Sequence, residues 1–163
     1  MHLLTLIVTL ILIFDSRNMD NECPLHMACI NEKSEVVIEL LRRYPQKINV
    51  LGCNDRHMLH YACEFGDWKL SMYFLTNPNF NIDCNIVDDH GWTPLLCASF
   101  SGQYEFVKFL LENAKEKGID VSKKNIDQRT AEDFAKQEGH KNIVALFEFQ
   151  NRSWFSILFC INT

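Results

Sequence analysis

The sequence predicts an all-α fold built from stacked helix-turn-helix units, and three observations lead there. Four stretches share one pattern: Cys23-Pro24-Leu25-His26-Met27-Ala28, His57-Met58-Leu59-His60-Tyr61-Ala62, Thr93-Pro94-Leu95-Leu96-Cys97-Ala98 and Thr130-Ala131-Glu132-Asp133-Phe134-Ala135. Their final alanines are 34, 36 and 37 residues apart. Nine residues after each alanine stand Val37, Ser71, Val107 and Val144, and twelve after stand Leu40, Phe74, Leu110 and Phe147. Constant offsets within a unit, with slack only between units, describe a repeated helix pair joined by loops of variable length, which is the signature of a stacked array.

Each element has a local reason. In the first unit Pro24 opens a helix over 24–31 at the position where a missing N–H costs nothing. A second helix over 34–43 follows, its apolar stripe formed by Val37, Leu40 and Leu41. The second unit predicts helices over 58–65 and 68–76, with Ser71, Phe74 and Leu75 on the buried side. In the third, Thr93 caps a helix over 94–101 through its hydroxyl, and Val107, Leu110 and Leu111 line a helix over 104–113. The fourth repeats this with Thr130, a helix over 131–138 and another over 141–149. Ala28, Ala62, Ala98 and Ala135 are small where two helices must approach closely. One unit cannot bury both faces, so stability accumulates from units and the interfaces between them.

The third unit, Asp88-Asp89-His90-Gly91-Trp92-Thr93-Pro94-Leu95, then Gly102, then Glu105-Phe106-Val107-Lys108-Phe109-Leu110-Leu111, resembles the ankyrin repeat. Leu96 and Gln103 replace that family's two histidines. The first unit has Cys23 for Thr and Glu32 for the mid-repeat Gly, the second has His57-Met58 for Thr-Pro, and the fourth keeps Thr130, Ala135, Gly139-His140 and Ile143-Val144. The resemblance implies an ankyrin-repeat solenoid with short β-hairpin-like connecting loops. Its repeats fall near 18–51, 52–87, 88–124 and 125–150, the last a C-terminal capping repeat.

Composition suits a folded domain: 163 residues, 47% apolar and 23% charged. A net charge of −5 argues against sequence-independent nucleic-acid binding, so no nucleic-acid partner is expected. Arg42, Arg43 and Lys47 form a short cluster, read as cations near a helix C-terminus. The seven cysteines are odd in number and lack a Cys-x-x-Cys pair. They read as free structural thiols, which implies a reducing compartment and a cytoplasmic, or nuclear, location. His26 and His60 sit where an imidazole bridges backbone groups of neighbouring loops, and His140 lies in the turn before a second helix. His57 and His60 lack a third ligand at suitable spacing, so no metal is expected. No phosphate loop, G-x-S-x-G or Cys–His–Asp set stands out, so neither a cofactor nor a catalytic site is expected.

What the resemblance implies is a binding surface for a protein partner. It puts Glu22, Arg56, Trp92 and Arg129 on successive fingertips, and Ile30, Asn31, Glu64, Phe65, Phe100, Ser101, Gln137 and Glu138 along the inner helix ridge. Trp92, Phe65, Phe100 and Arg56 lead this set, because aromatic and Arg side chains dominate interface energetics. The competing reading has Trp92 and Phe65 packing against neighbouring repeats.

The ends depart from the repeat. Residues 3–14 are nearly all apolar, shorter than a spanning helix and without a small-x-small cleavage site. Three readings of this segment (1–17) stay open: a secretion or anchor signal, an apolar cap on the first repeat, or a start placed too early, since Met19 precedes the first unit. The tail 151–163 is also apolar, and would fold back on the last helix, dock into a partner or membrane, or not be native. The expected function is a monomeric, non-enzymatic scaffold or adaptor. The alternative is a membrane-associated protein of the same architecture held by an apolar end.

Overall fold

The computed structural model describes the backbone of residues 16–161 and the side chains of residues 16–151; the apolar stretch 3–14 lies outside the described residues. Among these, the regular structure is helical, without strands. Four helix pairs follow in chain order: α1 (Pro24–Ile30) with α2 (Ser34–Arg43), α3 (Met58–Glu64) with α4 (Trp68–Thr76), α5 (Pro94–Phe100) with α6 (Tyr104–Glu112), and α8 (Ala131–Gln137) with α9 (Lys141–Ile161). A single extra turn, α7 (Ala114–Lys117), follows α6 and stops at Gly118, whose φ of 63° suits the left-handed C-terminal stop. Neither α7 nor the 3₁₀ turns Pro45–Asn49 and Cys53–Asp55 follows from the repeat pattern.

Two rows result. The first helices α1, α3, α5 and α8 pack each on the next, and the second helices pack behind them. Ala62, Ala98 and Ala135 are fully buried in the inner row, as closely apposed helices require. Ala28, with no preceding described helix, is only partly buried. Behind this row Val37, Leu41, Leu70, Phe74, Val107, Leu110, Ile143 and Phe147 supply one continuous apolar seam. Two of its joints differ in kind. Helices α2 and α4 pack directly, whereas α4 reaches α6 through Trp68, whose ring lies edge-on to Phe106 at 6.4 Å and to Phe109 at 5.8 Å.

The expected second helix of the last unit runs further than 149, to Ile161. No Gly or Pro occurs after His140 to end it.

Histidines join the repeats. The His57 N–H donates to His60 Nδ1 at 3.0 Å, so His60 carries its proton on Nε2. That proton is shared by the Trp92 carbonyl at 3.0 Å and the Ile86 carbonyl at 3.2 Å, both in the next hairpin. His26 does the same one unit earlier: Nδ1 accepts from the Cys23 N–H and Nε2 donates to the Val50 carbonyl at 3.1 Å. His140 donates to the Phe100 carbonyl at 2.9 Å. Gln103, in the equivalent place one unit earlier, donates to the Glu64 carbonyl at 3.2 Å, so an amide stands in for the imidazole. Cys29, Cys63 and Cys97 are buried free thiols in the inner row.

The hairpin tips share one geometry that the helical pattern does not reveal. A backbone bond closes residue i+4 against i four times: Asn18 N–H to Glu22 O, Gly52 N–H to Arg56 O, Asp88 N–H to Trp92 O and Asn125 N–H to Arg129 O. The residue before the last has positive φ in each: Asn21, Asp55, Gly91 and Gln128. At Gly91 a side chain would also press on the Asn125 backbone at 3.2 Å, because the next finger is laid against it. Successive fingers are tied by Asp89 N–H to Asn54 O at 3.0 Å and Ile126 N–H to His90 O at 3.1 Å.

Candidate functional site

A pocket of about 290 Å³ opens between the second and third fingertips. It is lined by Asn54 and Arg56 from one tip, Asp88, His90 and Trp92 from the next, and Glu64, Cys97 and Phe100 from the helices beneath. Four residues expected to bind a partner therefore meet in one place: Arg56, Glu64, Trp92 and Phe100. The hairpin geometry above brings the tips together, and the C-terminal ends of α3 and α5 provide the floor.

Arg56 organises the polar half. Its Nη2 pairs with Glu64 Oε2 at 2.5 Å and reaches Cys97 Sγ at 3.4 Å, while Nε lies 3.9 Å from Asp88 Oδ2. The guanidinium sits over the Tyr61 ring, 4.9 Å from its centroid. Burial opposes its charge, but the hydrogen bond to Cys97 Sγ and the Glu64 carboxylate outweigh that and hold the guanidinium firmly protonated. Burial also pushes the Cys97 thiol up to about 12, so it faces the pocket as a neutral group. Asp88 is held from the other side. Its Oδ1 accepts the N–H groups of His90 at 3.0 Å and Trp92 at 2.8 Å, which fixes the tip's shape.

Trp92, Phe100 and Phe134 form the aromatic half. Trp92 stacks on Phe134 at 4.4 Å, Phe100 meets Trp92 edge-on at 5.4 Å, and Phe100 meets Phe134 at 5.9 Å. The Arg129 guanidinium lies over the Phe134 ring, 5.4 Å from its centroid, and donates to Gln137 Oε1. The inter-repeat packing weighed for Trp92 is thus present, while Phe100 keeps 39% of its surface exposed.

The other expected residues lie elsewhere. Glu22 accepts from the Tyr61 hydroxyl at 3.3 Å on the first tip. Ile30 packs partly into the core, and Asn31 caps the end of α1 by donating to the Met27 carbonyl at 2.7 Å. Phe65, 38% exposed, and the half-buried Ser101 follow the ends of α3 and α5 outside this pocket. Glu138 accepts from Gln137 Nε2 at 2.9 Å on the last unit. Four lining residues, Asn54, Asp88, His90 and Cys97, were not among the expected ones. Asp88 was visible as the first residue of the Asp-x-x-Gly-x-Thr-Pro-Leu stretch, but its inward aim depends on the turn.

Among the described residues, one group of metal-ligand type converges: Asp88, Asp89 and His90, with ligand atoms within 4.8 Å of one another. Asp88 is committed to backbone donors, and Asp89 pairs with His90 at 2.5 Å in open solvent. Exposed acidic tips take this form without an ion. No nucleophile–base pair stands in the pocket.

A family model described as ankyrin repeats (3 copies) matches residues 4–86, 25–125 and 71–149. The chain is 33% identical over 90 residues to the probable 26S proteasome regulatory subunit p28 of Saccharomyces cerevisiae, a match covering 55% of this chain and 39% of that protein. It is 36% identical over 72 residues to delta-latroinsectotoxin-Lt1a of Latrodectus tredecimguttatus, covering 44% of this chain and 6% of the toxin. It is 33% identical over 76 residues to the 26S proteasome non-ATPase regulatory subunit 10 of Dictyostelium discoideum, covering 47% of this chain and 32% of that subunit. In each, the match spans well under half of the relative's own length.

Proposed function

The chain belongs to the ankyrin repeat family, and from that premise we propose that it is a non-enzymatic protein-interaction module. Its repeats, taken over residues 18–150, present fingertips and inner helix ends as one concave surface for a protein partner. One observation carries this reading: Arg56, Glu64, Trp92 and Phe100, from two fingertips and two helices, line a single pocket walled by the exposed Phe100 ring and the partly buried Trp92 ring. Aromatic anchors beside a pinned Arg are what interface hot spots are made of. The backbone bonds between fingers make the surface preorganised, which lowers the ordering cost of binding.

No helix among the described residues is long and apolar enough to cross a membrane. Membrane association therefore rests on the terminal segments, and a chain released into the aqueous fraction without detergent eliminates it. Buried thiols at Cys29, Cys63 and Cys97 favour a cytoplasmic or nuclear setting, where they stay reduced.

The test is partner capture with the full chain, followed by affinity measurement for Trp92→Ala and Phe100→Ala. Weaker binding by about tenfold or more supports the surface. Unchanged affinity in a folded variant removes it.

A further inference from the structure

The charge of this molecule is not spread evenly. The four segments that form fingertips and first helices, 17–31, 52–65, 86–101 and 125–138, hold ten acidic and four basic residues. In the second helices and the returns between them, acidic and basic residues nearly balance, at ten and twelve over 32–51, 66–85, 102–124 and 139–152. The net charge of −5 is therefore carried by the side that also carries the pocket.

All four cations on that side are already engaged. Arg17 donates to the Asn21 and Leu51 carbonyls, Arg56 is held by Glu64 over the Tyr61 ring, Arg129 by Gln137 over Phe134, and Lys136 pairs with Glu132. At the third fingertip the imbalance is complete: between residues 86 and 101 there is no Lys or Arg to answer Asp88 and Asp89. Asp88 Oδ2 has Arg56 Nε no nearer than 3.9 Å, and Asp89, exposed beside the pocket residue His90, has only that imidazole as an ion-pair partner among the described residues. Beside these carboxylates stand the rings of Trp92 and Phe100.

Carboxylates next to open aromatic rings select a cation with an apolar stem. The charge pairs with the acids, the stem lies along the rings, and the ring faces attract the cation itself. Resting on the interaction reading above, we infer that the occupant of this face is a basic peptide segment, one of whose Lys or Arg side chains enters the pocket between the second and third fingertips. The surplus acids of this face steer the rest of the segment, so association slows and weakens as salt is raised.

The experiment selects binders to the full chain from a randomised peptide display library, then measures synthetic peptides against variants. Enrichment of Lys- and Arg-bearing peptides is expected. Their affinity should fall about tenfold or more in Trp92→Ala and Asp89→Lys, and fall with added salt. Asp89→Lys changes an exposed tip and leaves the packed rings alone, so it reports binding even where Trp92→Ala unfolds. Selection of acidic or uncharged peptides that still depend on Trp92 and Phe100 overturns the basic partner while leaving the interaction surface standing. Selected peptides indifferent to Trp92→Ala, Phe100→Ala and Asp89→Lys overturn both.

Discussion

Trp92 lies against Phe134, ring centroids 4.4 Å apart and planes inclined by 32°, although they belong to different repeats. The same indole also walls the pocket between the second and third fingertips. One residue thus serves the stack and the surface together. Trp92→Ala should lower stability by about 2 kcal/mol, less than a fully buried ring would cost. Phe65→Ala, at an exposed helix end, should change it by less than about 1 kcal/mol. Thermal denaturation of the two variants checks this, and equal melting temperatures would refute the structural half of the role of Trp92.

Ala98 has no accessible surface, in the inner row where α5 meets α3 and α8. Ala98→Leu adds volume that the neighbouring helices cannot yield, and should cost about 1–3 kcal/mol. Urea unfolding measures the loss. A midpoint that does not move would mean the helices have room to part.

Acid sensitivity should come from the second repeat. Burial, with His60 and His26 nearby, lowers the His57 pKa to about 4, and burial lowers that of His60 too. Because the folded state resists protonation, the unfolded chain binds more protons below the ordinary histidine value of about 6.5. Stability is therefore complete above that pH and falls as pH drops toward 4, by about 3 kcal/mol for His57 if the whole window is crossed. His57→Thr keeps an acceptor for the Leu59 N–H and removes this titration, so its stability should depend less on pH. Denaturation of both proteins across the acid range decides it, and parallel curves would contradict the assignment.

The second and third repeats should be the weakest join in the outer row. Trp68 spans the gap between α4 and α6, and Ser71 occupies a buried site where units one, three and four have Val. The Ser71 hydroxyl is buried without a hydrogen-bond partner. Ser71→Val should stabilise by about 1 kcal/mol, since it removes an unsatisfied polar group and fills an apolar seam. Amide exchange should open α4 before α6 in the natural chain, and the interval should narrow in the variant. The reverse order would count against this reading.

The helices were legible because their signals are local. Pro24, Thr93, Pro94 and Thr130 mark starts, and alanines and branched residues at constant offsets mark buried faces; α1, α5 and α8 begin where those marks stand, and α3 begins at the matching place in its unit. The family resemblance likewise put Arg56, Glu64, Trp92 and Phe100 on the fingertip and inner-helix side. Their convergence was not legible in this way. It depends on Asp88 folding its carboxylate back onto the His90 and Trp92 amides, and on Asp89 bonding to Asn54 in the preceding tip. It also depends on Phe134, whose separation from Trp92 along the chain no short-range pattern bridges. The chain alone determined a repeated helix pair and which faces are buried, since periodicity and capping act over a few residues. Only the tertiary structure decided that the acidic third fingertip, Arg56 and the Trp92 and Phe100 rings share one pocket, because distances between repeats follow from how turns and seams stack.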